Sequence, residues 1–126
     1  MTTDPARVAR ASYDAYVRKD RPAIEALIAR DFRFTSPLDN GLDRETYFKR
    51  CWPNSEFITG FNFVRMTGNG DEVLVTYEAL TKTGSKFRNT EILTVRNGLL
   101  TNVEVYFGWS IPHEAPLGGF IDKPGA

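Results

Sequence analysis

Two carboxylates in this chain, Asp39 and Glu91, lie among residue types that could carry acid/base chemistry. Asp39 belongs to the stretch FTSPLDNG, residues 34–41, in which Ser36, Asp39 and Asn40 follow directly on an apolar run. Ser-Pro, Asp-Asn and Gly are turn formers, so these side chains either bond their own backbone or face something that binds. In the second case Asp39 would serve as a base, with Ser36 and Asn40 as binding groups. Glu91 sits in a period-two segment. Alternation puts it with Phe87, Asn89, Leu93 and Val95 on one face, against Arg88, Thr90, Ile92 and Thr94 on the other. The same parity gives Tyr77 an inward position with Val73, Val75 and Ala79, and Phe107 and Trp109 one with Val103 and Val105. A filled core has no use for an ionised carboxylate, whose burial is costly unless it is paired. An inward Glu91 beside Asn89 and Tyr77 therefore points to a cavity with a polar end, Glu91 acting as general acid or base. The alternative is a rim carboxylate, solvated or paired with Arg88 or Arg65.

Other reactive types are few. The single histidine, His113, follows the last strand and could cover the cavity mouth, or lie on the surface as one residue of a Pro-rich tail. The single cysteine, Cys51, reads as a small hydrophobe at a helix end, with no base to activate it. Tyr16, Trp52, Phe61, Phe107 and Trp109 are expected against a ligand, while aromatics of this kind also build cores.

Counting excludes several classes. One cysteine excludes an internal disulfide and a cysteine-rich zinc site, and one histidine argues against a histidine-based metal site or a self-contained Ser-His-Asp triad. Sixteen basic and sixteen acidic residues balance to zero, without the basic stripe of a nucleic-acid binder. Zero net charge favours self-association. No apolar stretch nears the ~20 residues of a membrane helix, and the N-terminus has no signal-peptide core, so the expected setting is the cytoplasm. With 126 residues, 41% of them hydrophobic, the chain is expected to form one domain spanning residues 1–126.

The elements that must position these groups follow from period and punctuation. Asp4-Pro5 opens a helix with Val8, Ala11, Ser12, Ala15 and Tyr16 on one face. Asp20 caps a short second helix burying Ile24, Leu27 and Ile28. A strand over about 32–36 leads into the turn stretch. Asp43 caps a third helix over about 44–51, which stops before Pro53. Beyond residue 61 the period is two, with hairpin turns at Asn69-Gly70, Thr83-Gly84 and Asn97-Gly98. Strands are expected over 61–67, 73–82, 86–96 and 99–109, and an irregular tail over 111–126. Helices first and a meander afterwards is the α+β pattern, with the helices on one face of a curved four-stranded sheet.

The order of these elements, with KDRPAIEALIARDFRFTSP early and RNGLLTNVEVYFGW late, resembles the NTF2-like superfamily in its SnoaL-like branch over residues 5–110. That resemblance implies a cone, a curved antiparallel sheet wrapped around three N-terminal helices, with a deep pocket and frequent homodimers. Members include ketosteroid isomerases, polyketide cyclases, epoxide hydrolases and non-catalytic binding proteins, so the fold does not give the function. Where the isomerases carry an aspartate base before the first-strand proline, this chain has Ser36. Where they carry a tyrosine donor in the first helix it has Ser12, with Tyr13 and Tyr16 close by. Glu91 falls near their second, protonated acid, the handling of which in an apolar site is well known. The late aspartate of the cyclases is replaced around Gly108 and Trp109. The sequence thus supports a small apolar or carbonyl-containing ligand bound without metal or organic cofactor, by an isomerase, cyclase or dehydratase-like enzyme or by a non-catalytic module. A homodimer through the outer sheet face, including Thr90, Ile92, Glu104 and Tyr106, is expected.

Overall fold

The structure, a computed structural model, describes residues 3–122. Asp4 is the N-cap of α1 (Pro5–Arg18), which ends on Lys19 in the left-handed conformation. Its buried side is Val8, Ala9, Ser12, Tyr13 and Ala15, one residue round from the expected face, so that Tyr13 points inward more deeply than Tyr16. Asp20 accepts a hydrogen bond from the Ala23 amide and caps α2 (Arg21–Leu27). Asp43 does the same for Thr46 at the start of α3 (Arg44–Arg50), and Pro53 follows in a 3-10 turn, Trp52–Phe57.

The sheet has six strands rather than the four expected: β1 (Ile28–Ser36), β2 (Asp39–Leu42), β3 (Ile58–Asn69), β4 (Glu72–Thr81), β5 (Lys86–Arg96) and β6 (Leu99–Ile111). Their order is β2-β1-β6-β5-β4-β3. The meander β3 to β6 is antiparallel, as its hairpin turns dictate. The two additional strands extend the far edge. β1 pairs parallel with β6 through Phe34 and Val103, and β2 folds back antiparallel through Ser36 and Asp39. That parallel pairing joins segments some 70 residues apart, so no local pattern announces it. It also draws Ile28, expected on a helix face, into the start of β1.

Several bulges and register shifts curve the sheet around the helices, and two of them bear on the cavity. One lies on β3 between Phe63 and Arg65 and turns Phe61, Phe63 and Met66 toward β4's inward residues. The other, on β6, sets Gly108 and Trp109 against Arg88 alone. α1 packs on β3, β4, β5 and β6, and α3 on β1, leaving the sheet curved and unclosed. Val8, Phe32, Val73, Val75, Leu93 and Val95 are the fully buried centre of the core. Among the described residues, no helix is long and apolar enough to cross a membrane.

Candidate functional site

Between the helices and the concave face of the sheet lies a cavity of about 640 Å³. Its walls are largely apolar, with Ile24, Ile28, Phe32, Phe34, Leu100 and Val103 among them. Leu38, Phe57, Phe107 and Trp109 also line it yet are exposed, which marks its open end.

The polar end is built around Glu91. Tyr13, from α1, donates its hydroxyl to Oε1 at 3.0 Å, and Tyr77, from β4, donates to Oε2 at 2.5 Å. Asn89 donates its amide to the Tyr77 hydroxyl at 3.4 Å, while its own Oδ1 accepts the Gly108 amide at 3.2 Å. Register explains the assembly. Tyr77 faces Asn89 across β4 and β5, so Glu91, two residues on, is its diagonal neighbour on the same face. The β6 bulge supplies the Gly108 N–H that would otherwise point into the ladder. Tyr13 is held edge-on by Phe61, Phe63 and Tyr77, at 5.1, 5.3 and 5.7 Å. Burial raises the Glu91 carboxyl above its ordinary range, and the Tyr77 and Tyr13 hydrogen bonds oppose that shift. The same burial, with Glu91 alongside, pushes both phenols well above theirs. A carboxylate offers about four lone-pair positions, so two phenols leave it able to accept a further proton. Arg88, one of the arginines considered as a partner, turns instead to Glu78 at 2.6 Å.

Asp39 lines the same cavity as Glu91, but both its oxygens are engaged. Ser36 donates to Oδ2 at 2.9 Å and Arg50 Nε to Oδ1 at 2.7 Å. Ser36 Oγ in turn accepts the Leu38 amide at 3.0 Å, so the stretch combines turn chemistry with an ion pair. Tyr16, Ser36, Phe61, Tyr77, Asn89, Phe107 and Trp109 all line the cavity. Three expected binding residues do not. Asn40 is exposed on β2, because the strand turns alternate side chains away. Trp52 is buried in the core, edge-on to Tyr16 at 5.5 Å. His113 is exposed beyond β6, its Nδ1 accepting the Ala115 amide, with its ring 5.6 Å from Trp109. The β6 bulge also revises the parity of Trp109. Ser110 pairs with inward Phe87, while Trp109 lies at the mouth under the Arg88 guanidinium at 5.6 Å.

Two tyrosines of the cavity, Tyr13 and Tyr47, were not among the site residues expected from sequence. Tyr13 stands one turn before Tyr16, and a helix face drawn through Ala9 and Ser12 would have found it. Tyr47 and Phe48 are both buried on a seven-residue helix, which is too short for its period to be read. Cys51 is buried and lines the cavity too, its thiol pushed up by burial to about 11, as suits a small core hydrophobe. Among the described residues no three His, Cys, Asp or Glu side chains gather where they could hold a metal ion.

A family model described as the SnoaL-like domain matches residues 9–103. Among solved structures, an NTF2-like protein of unknown function from Cytophaga hutchinsonii is 19% identical, with a TM-score of 0.68 over 86% of this chain and 93% of that one. A protein from Kribbella flavida, provisionally described as a ketosteroid isomerase, is 19% identical, with a TM-score of 0.71 over 98% and 93%. An LEH-like epoxide hydrolase of M. tuberculosis is 18% identical, with a TM-score of 0.71 over 85% and 84%. At these identities the likeness is one of fold. No curated protein matches the chain significantly.

Proposed function

The chain belongs to the SnoaL-like domain family, and on that premise we propose that its cavity is a pocket for a small, largely apolar molecule, with Glu91 as its acid/base group. The observation that carries this reading is the Glu91 carboxyl, held at the polar end of an apolar cavity by hydrogen bonds from Tyr13 and Tyr77. Burial favours its protonated form and the phenols favour its ionised form, an arrangement suited to taking up and returning one proton. The reaction supported is a proton transfer next to a carbonyl, of isomerase, cyclase or dehydratase type. The Kribbella flavida neighbour provisionally described as a ketosteroid isomerase, and a Streptomyces antibioticus neighbour provisionally described as a polyketide cyclase, support the same direction.

A second reading, binding without transformation, is favoured by one specific feature. All four carboxylate oxygens of Asp39 and Glu91 already take a hydrogen bond from within the chain. A panel of apolar ketones incubated with the protein and with Glu91→Gln separates the two. Turnover that disappears in Glu91→Gln while binding persists supports acid/base chemistry; binding without turnover in both proteins leaves a carrier.

The proposal includes a homodimer through the outer sheet face, where Tyr106 is exposed and Thr90, Ile92 and Glu104 are half-buried. Sedimentation should give a dimer for the parent and a monomer for Tyr106→Glu. A monomeric parent rejects this part of the reading.

A further inference from the structure

A groove of about 620 Å³ lies between α1 and β3, the edge strand of the sheet. Ala11, Val17, Phe61 and Phe63 give it an apolar floor, and Arg7, Arg10 and Asp14 stand along it. Tyr13 and Phe61 line both this groove and the cavity, and so form the wall between them. The Tyr13 hydroxyl is engaged by Glu91 on the cavity side, so the Tyr13 ring is what the groove meets.

Helix spacing decides how charge is distributed along α1. Arg7 lies beside Asp4 at 3.8 Å, one turn away. Asp14 stands four residues after Arg10 and four before Arg18, and it pairs with Arg18 at 3.1 Å. That is the favourable choice, since an acid N-terminal to its base complements the helix dipole. Among the described residues, Arg10 is thereby left without a carboxylate. Its guanidinium lies over the Phe63 ring, 4.9 Å from the centroid, and donates to the Met66 sulfur at 3.8 Å, a weak acceptor. Stacking fixes the plane of an arginine and leaves its edge free for a two-point contact with a planar anion.

A single uncompensated cation matches a monoanion better than a phosphate dianion or a nucleic acid, which call for clustered positive charge. The apolar floor beside it calls for a hydrophobic body on that anion, and the volume is that of a small-molecule site. We infer that the groove between α1 and β3 is a second binding site, separate from the cavity, for a small apolar carboxylate held by Arg10 against Phe61 and Phe63. This site does not depend on the pocket reading above, and either can fail alone.

The test compares 2-naphthoate with 2-naphthamide, which has the same shape without the charge. Calorimetric titrations at low salt are run on the parent, on Arg10→Gln and on Lys49→Gln, which removes one positive charge from an exposed site on α3. The parent should bind naphthoate with a Kd below about 1 mM and prefer it to the amide by about tenfold. Arg10→Gln should erase that preference and Lys49→Gln should keep it. Both replaced residues are exposed, so melting temperatures should match the parent and verify folding. In amide NMR spectra of the parent, naphthoate should shift Arg10, Ala11 and Phe63 and leave Leu100 and Val103 in place. Equal affinity for acid and amide overturns the inference, as does a preference that survives in Arg10→Gln or is lost equally in Lys49→Gln. Shifts confined to Leu100 and Val103 would put naphthoate in the cavity, which overturns the second site and supports the pocket reading. Those spectra decide the location without any variant.

Discussion

The Tyr77 hydroxyl lies 2.5 Å from Glu91 Oε2, and the two residues are diagonal neighbours on the inner face of β4 and β5. The pairing is set by strand register rather than by a flexible loop, so the carboxyl is held in one place. Tyr77 also accepts from Asn89, which makes it the middle of a chain running from the Gly108 amide to the acid. Tyr77→Phe should thus leave Oε2 and the Asn89 amide without partners while preserving the ring packing. The expected cost is about 1–3 kcal/mol, read by urea denaturation. Glu91 should also titrate higher in the variant, because the hydrogen bond that opposed burial is gone. Carbon-detected NMR of the carboxyl checks the direction. A lowered Glu91 pKa would mean that the phenol does not donate to the acid.

Glu91 should make stability depend on pH in a defined sense. Its folded pKa is raised above the ordinary 4.5, so the folded state holds this proton more tightly than the unfolded chain. The resulting stabilisation is fully present below 4.5 and is lost as pH rises through the folded value. Glu91→Gln removes the titration. Denaturation midpoints across the acid range should therefore fall more steeply with rising pH, over that window, in the parent than in the variant. Parallel curves would mean that Glu91 is solvated in the folded state.

Much of this was legible in the residues. The capping aspartates Asp20 and Asp43, the Asn97-Gly98 turn and the inward parity of Tyr77, Asn89 and Glu91 are local features, and the structure has them where the pattern placed them; the first hairpin turn falls on Gly70-Asp71, one residue past the expected Asn69-Gly70. What was not legible depends on contacts distant in sequence. The parallel β1 and β6 pairing has no local signature, and without it β2 reads as a loop. The β6 bulge inserts one residue and so moves Ser110, not Trp109, opposite Phe87. Parity holds only until such an insertion. Tyr47 escaped for a third reason, since a short helix whose neighbours are both buried has no readable face.

Gly108 should tolerate no side chain. A Cβ built there would lie 2.2 Å from the Arg88 carbonyl oxygen, a backbone atom that cannot swing aside. The bulge must then open, and the Gly108 amide that orients Asn89 would move with it. Gly108→Ala should cost about 1–3 kcal/mol, the usual range for overpacking. It should also weaken the support of Tyr77, so that any turnover falls along with stability. Thermal unfolding and a ketone-binding titration on the same sample give both readings. A variant as stable as the parent would show that the bulge has another conformation open to it.

The last expectation concerns Asp39, the acid that stands nearest the position where related isomerases carry their base. Its oxygens are occupied by Ser36 and by Arg50, and Arg50 is 60% exposed while Asp39 is 10% exposed. An exposed guanidinium adds little to stability because water screens it. It does, however, hold the carboxylate along the cavity rim instead of letting it turn toward a ligand. Asp39→Asn should accordingly leave binding of an apolar ketone, and any turnover, within about twofold of the parent, since an amide can keep the Ser36 contact. Arg50→Ala should change the melting temperature little. If Asp39 were the working base, Asp39→Asn would remove turnover by orders of magnitude while Glu91→Gln spared it. Rate measurements on the two variants side by side decide which carboxylate moves the proton; the expectation for Glu91 follows from burial raising its carboxyl at the polar end of the cavity, whereas Asp39 is tied by an ion pair to an exposed Arg50.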